Sequence, residues 1–161
     1  MTAIIPVGMG EMKTAVNSGC LAVYGVGSCV IVSLYDSSKK LGGIVHIMLP
    51  DSSGLDRKSI NPVKFADLAL PLLFKELTAQ GAKAKNLQAK IIGGAEMFPP
   101  TEDFENNIGR DNTEAAKKVL NKLHVPLIAE NTGGRRGRSV EFDVSSGIMR
   151  LSILGEEVKE I

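Results

Sequence analysis

The feature that most constrains this chain is how often its apolar runs are interrupted. Runs rich in Val, Ile and Leu at 4–12, 21–25, 30–35, 43–49, 87–92, 126–130, 139–144 and 148–154 are bounded by Gly, Ser, Asp or Pro. Segments so short and so rich in β-branched residues fit strands, and the simplest links between them are hairpins. Two stretches break the pattern. Between 61 and 81, Phe65, Leu68, Ala69, Leu72, Leu73 and Leu77 follow helical spacing and Gly81 supplies a stop. Between 111 and 123, Ala116, Val119, Leu120 and Leu123 form one apolar stripe, with Asp111, Asn112 or Thr113 available as a cap. Many strands with two inserted helices predict an α/β fold, a layered sandwich of mixed, mostly antiparallel β-sheet flanked by helices. No repeat or linker divides the chain, so residues 1–161 are expected to form one domain.

Charge narrows the function classes. Lys and Arg number 19 against 18 Asp and Glu, which leaves a formal net charge of +1 and no general attraction for nucleic acid or an anionic membrane. No apolar stretch reaches membrane-spanning length and no basic segment leads into an apolar one near Met1. A cytoplasmic protein without direct membrane insertion is expected. Cys20 and Cys29 are too few for a disulfide framework in a chain of this size, so each is read as a thiol.

Chemistry is most concentrated at Gly25-Val26-Gly27-Ser28-Cys29. A thiol here follows a glycine-bearing turn and precedes an apolar strand, so it can stand at the end of a sheet. Gly27 and Ser28 can turn backbone N–H groups toward a developing oxyanion. A thiol nucleophile needs a base. Of the two histidines, His46 lies mid-strand in Ile44-Val45-His46-Ile47-Met48, one strand after Cys29, whereas His124 ends a lysine-bearing helix and reads as surface. Adjacent antiparallel strands can bring Cys29 and His46 together. The competing reading is a small buried thiol beside a hydrogen-bonded structural histidine. Ser28 is a rival nucleophile, but it lacks the second glycine of a hydrolase elbow.

Other segments carry paired readings. Glu96, Met97 and Phe98 follow Gly93-Gly94 and either pack back on the core or meet a partner. Asn107 to Asn112 reads first as a helix start, and Thr132-Gly133-Gly134 as a turn. Arg135, Arg136 and Arg138 are the densest basic cluster, either a solvated loop or a docking patch for an acidic partner.

Taken together, several blocks resemble the CheD family. They are Gly25-Val26-Gly27-Ser28-Cys29-Val30, Val45-His46-Ile47-Met48-Leu49-Pro50-Asp51-Ser52 and Lys90-Ile91-Ile92-Gly93-Gly94-Ala95-Glu96-Met97-Phe98. Further along come Asn107-Ile108-Gly109-Arg110-Asp111-Asn112, Glu130-Asn131-Thr132-Gly133-Gly134 and Gly137-Arg138-Ser139-Val140. The resemblance implies deamidation of selected glutamines, and hydrolysis of methyl esters, on the cytoplasmic helices of chemoreceptors. It further implies Cys29 as nucleophile, His46 as base, no metal or organic cofactor, and a CheC-type phosphatase competing for the same face. A binding module of the same fold, engaging that phosphatase or receptors with little catalysis, is the alternative. The family commonly has a threonine six residues before the nucleophile, where this chain has Val23. A valine side chain cannot accept a hydrogen bond from imidazole, so the Val23 backbone carbonyl or a nearby side chain is expected to orient His46 instead.

Overall fold

The computed structural model describes residues 2–97 and 107–161. Its strands are β1 (Ile4–Pro6), β2 (Met12–Val16), β3 (Cys20–Val26), β4 (Val30–Asp36), β5 (Leu41–Ile47), β6 (Gln88–Gly93), β7 (Leu127–Thr132), β8 (Arg138–Asp143), β9 (Ile148–Ile153) and β10 (Lys159–Glu160). The helices are α1 (Ala66–Ala79) and α2 (Ile108–Lys122). They build two five-stranded sheets, ordered β1-β3-β8-β9-β10 and β2-β5-β4-β6-β7. Each sheet is mixed, with one parallel pair, β1 with β3 and β6 with β7, among antiparallel neighbours. The expected layered sandwich is therefore present.

Alternation along the central strands explains the layering. In β4, Val30, Val32 and Leu34 pack on the helix side with Leu70, Leu73 and Leu77 of α1 and Ala116 and Leu120 of α2. Ile31 faces the other way, into an inter-sheet core with Leu21, Val23, Val140, Phe142 and Leu151. A buried side chain of this size stabilises by roughly 1.5–3 kcal/mol. The two sheets meet edge-to-face at Tyr35 and Phe142, whose ring centroids lie 5.6 Å apart at 87°. Gly43 lets α1 approach β5 closely, since a Cβ there would stand 2.8 Å from Leu73 Cδ1. Among the described residues no helix is long and apolar enough to cross a membrane.

Three sequence expectations change. The run 4–12 is not one strand: β1 and β2 lie in different sheets, separated by a turn in which Glu11 N–H donates to the Gly8 carbonyl at 3.0 Å and Gly8 N–H to Glu11 Oε2 at 3.0 Å. Apolar content cannot reveal that crossing. The second helix begins before 111, because Asn107 is its cap and accepts from Arg110 N–H at 3.0 Å. Asn112 consequently lies inside the helix and is fully buried. Hairpins join β4 to β5 and β8 to β9, but β3 and β4 belong to different sheets, and this crossing places Cys29 between the layers.

Candidate active site

Strand register sets the relation between Cys29 and His46. In the β4–β5 hairpin Ile31 stands opposite His46. Cys29, in the bend just before β4, packs on the same inter-sheet side as Ile31. Cys29 packs at the edge of the core containing Ile31 and Ile44, and His46 follows Ile44 on the same face of β5. The two side chains thus lie on the same side of the β4–β5 sheet, toward the inter-sheet core.

His46 is 5% exposed and its Nδ1 lies 3.4 Å from the Val7 carbonyl oxygen. With Nδ1–H donating to that carbonyl, Nε2 is left as the basic nitrogen. The carbonyl in contact with His46 Nδ1 is that of Val7, in the turn between β1 and β2. Val23 pairs with Val140 in β8 and is buried between the sheets. The Val7 turn is anchored to β5 by bonds from Gly10 N–H to the His46 carbonyl at 3.0 Å and from His46 N–H to the Glu11 carbonyl at 3.1 Å.

Burial pushes the His46 imidazole below its usual range, with the Val7 carbonyl and the Glu11 charge acting in the opposite direction. Burial pushes the Cys29 thiol up, partly offset by a hydrogen bond from its own backbone N–H. Both shifts favour the neutral thiol–imidazole pair. Such a pair is suited to proton transfer during attack, with little charge separated at rest.

The loop Gly27-Ser28-Cys29 is held by its carbonyls. Gly27 accepts from Ala95 N–H at 3.0 Å, Cys29 from Gly94 N–H at 2.8 Å and Ser28 from Asn112 Nδ2 at 3.0 Å. In a trans peptide the N–H points opposite to the C=O. The Ser28 and Cys29 N–H groups are therefore turned away from these anchors. Gly93 and Gly94 adopt positive φ of 110° and 64°, which brings the β6 end beneath Cys29.

The remaining expected site residues separate. Met97 is exposed and lies over Gly27, where a Cβ would stand 3.1 Å from Met97 Cγ. Glu96 and Arg135 line an open groove of about 450 Å³ with Arg110, Lys117 and Thr132. Arg136 is exposed and lies 3.8 Å from Glu156. Phe98 lies outside the described residues. Arg138 corrects the docking expectation: it is 6% exposed, and its guanidinium donates to the carbonyls of Gly93 at 2.8 Å, Asn131 at 2.7 Å and Gly133. Alternation in β8 directs it inward with Val140 and Phe142.

Cys20 and Cys29 are both free thiols, Cys20 at the start of β3 and Cys29 in the bend just before β4. His124 is exposed at the end of α2, as expected. Among the described residues no three His, Cys, Asp or Glu side chains converge in a way that could hold a metal ion.

Comparison with known proteins adds the decisive observation. Residues 48–152 match the family model CheD, described as CheD chemotactic sensory transduction. The chain belongs to the CheD family. A Clostridium kluyveri member, named "probable chemoreceptor glutamine deamidase CheD", is 46% identical over 158 residues, covering 98% of this chain and 97% of its own. Members of the same name from Clostridium novyi and Pyrococcus abyssi are each 41% identical, covering 98% and 99% of this chain and 97% and 98% of their own. The family-model match begins two residues after His46, and these nearly full-length relatives carry the likeness through the N-terminal strands.

Val7, Gly94, Ala95 and Asn112 were not singled out as site residues from the sequence. Asn112 carried a usable signal, since it lies four and eight residues before Ala116 and Leu120 and so places an amide on the apolar stripe of α2. The Val7 carbonyl carried none.

Proposed function

We propose that this CheD-family chain is a cytoplasmic protein-glutamine glutaminase, which hydrolyses glutamine side-chain amides on chemoreceptor helices to glutamate. Cys29 is its nucleophile and His46 its base. The observation that carries this reading is the shared inter-sheet face of Cys29 and His46, with His46 Nδ1 against the Val7 carbonyl. Membership of the family supports the substrate class.

The chemistry follows from the neutral pair. His46 Nε2 takes the thiol proton as sulfur attacks the carboxamide carbon, and the oxyanion is met by the Ser28 and Cys29 N–H groups. Collapse breaks the C–N bond; the amide nitrogen takes the proton from His46 and leaves as ammonia, giving a thioester. His46 then deprotonates water, which attacks the thioester carbon. Glutamate forms, and Cys29 recovers its proton. No residue of the chain is required to supply redox chemistry in this sequence.

Met97 beside Gly27, with Glu96 and Arg135 in the neighbouring groove, offers a receptor or a CheC-type phosphatase a surface next to the thiol. A second reading, a binding module with little catalysis, rests on Val23, whose hydrocarbon side chain occupies the position of the family's common threonine. Incubation with a purified receptor cytoplasmic fragment separates the two. Mass spectrometry should find Gln-to-Glu conversion that Cys29→Ala abolishes. Conversion by neither protein, while a CheC-type phosphatase still binds, would establish the module instead.

A further inference from the structure

Asn112 is the one fully buried side-chain amide in α2, and both of its observed bonds go to backbone that carries the candidate pair. Its Nδ2 donates to the Ser28 carbonyl at 3.0 Å and to the Met48 carbonyl at 3.0 Å. Ser28 immediately precedes Cys29, and Met48 lies two residues beyond His46. Two carbonyl acceptors require the nitrogen, not the oxygen, to face them, so the orientation of the amide is fixed by its partners. Oδ1 has no partner among the described residues. Burying an amide with an open acceptor costs stability, so an apolar side chain of the same size would serve better if filling space were the only requirement.

The Ser28 carbonyl and the Cys29 N–H belong to one planar peptide unit. A donor on the carbonyl fixes the direction of the N–H at the other end and polarises it as a donor. We infer that Asn112 is a positioning residue that aims the Cys29 N–H at the transition-state oxyanion, its second bond to Met48 holding the amide in place. The docking of α2 reinforces this. Gly109 and Thr113 close directly on Gly94, whose N–H holds the Cys29 carbonyl, so the helix that carries Asn112 cannot slide relative to the loop. This role rests on the assignment of Cys29 as nucleophile.

The test compares Asn112→Leu, similar in size but without donors, with wild type and Cys29→Ala on a receptor cytoplasmic fragment. Losing an aimed oxyanion donor should lower kcat about 100-fold, with KM within about twofold. Alkylation of Cys29 by iodoacetamide, a displacement with no oxyanion, should keep its rate and pH profile within about twofold. Parallel loss of deamidation and alkylation would show a general structural role and overturn the inference, as would a kcat within threefold of wild type. If Asn112→Leu fails to fold, Asn112→Ala is read by the same criteria; failure of both to fold makes the residue structural and also overturns it. Deamidation that persists in Cys29→Ala refutes the nucleophile assignment itself. That result is distinct from Cys29-dependent activity indifferent to Asn112.

Discussion

The carbonyl oxygen of Val7 stands 3.4 Å from Nδ1 of His46, so a main-chain group fills the place of a side-chain acceptor beside the imidazole. Val23, where a threonine is common in the family, packs against the inter-sheet core. Val23→Thr should therefore change kcat/KM by less than about threefold, while burying a new hydroxyl lowers stability by about 1–3 kcal/mol. Steady-state kinetics and urea unfolding measure the two effects. A gain of orders of magnitude in activity would mean that the carbonyl does not orient the ring adequately.

The pH profile should carry the signature of a buried imidazole. Because burial lowers His46, with the Val7 carbonyl and Glu11 raising it, the base should remain neutral below about pH 6.5. The acid limb of kcat/KM is expected below that pH. Glu11→Gln removes the charge that raises His46, so the limb should move further down. An unmoved or rising limb in that variant would show that Glu11 does not act on the ring. Direct alkylation of Cys29 should instead titrate above the usual thiol range, since burial raises that thiol.

Arg138 holds carbonyls of Gly93, Asn131 and Gly133 from inside the sandwich. Arg138→Lys keeps the charge but replaces the planar fork with a single ammonium, leaving buried acceptors open. Thermal or urea unfolding should show a loss of about 2–4 kcal/mol, from one or two buried carbonyls left unpaired. Arg135→Ala and Arg136→Ala, at exposed positions, should stay within about 0.5 kcal/mol of wild type. Equal stability of all three variants would disprove the stapling role.

Gly93 tests the support beneath the thiol. Its φ is 110°, and a Cβ there would press on the Cys29 carbonyl and stand 2.9 Å from Val26 Cγ1. Gly93→Ala should cost about 1–3 kcal/mol through backbone strain alone, and deamidation should fall even where the protein remains folded. Retention of full activity would mean that the Cys29 loop tolerates displacement.

What could be read from the sequence was local. The β4–β5 hairpin, which sets Ile31 opposite His46, followed from two short apolar runs and a turn. The stripe of Ala116 and Leu120 identified α2, although its start was placed late because Asn107 and Asn112 are equally good caps in isolation. What could not be read depends on chain crossings between sheets. The Val7 carbonyl reaches His46 only because β1 and β2 part company at Gly8, and main-chain groups leave no mark in residue identity. Arg138 was misplaced for a related reason: alternation along β8 turns it inward, while Arg135 and Arg136 in the preceding loop stay out.

The distance along the chain between Ser28 and Asn112 affects synthesis as well as geometry. The two are 84 residues apart, and at about 5–20 residues per second the ribosome needs roughly 4–17 s to add the helix that grips the Ser28 carbonyl. Until then the cysteine exists as an ordinary thiol on a growing polypeptide. On the proposed mechanism, an unfinished chain has the thiol without the donor that aims its N–H, and deamidation begins only once α2 has docked.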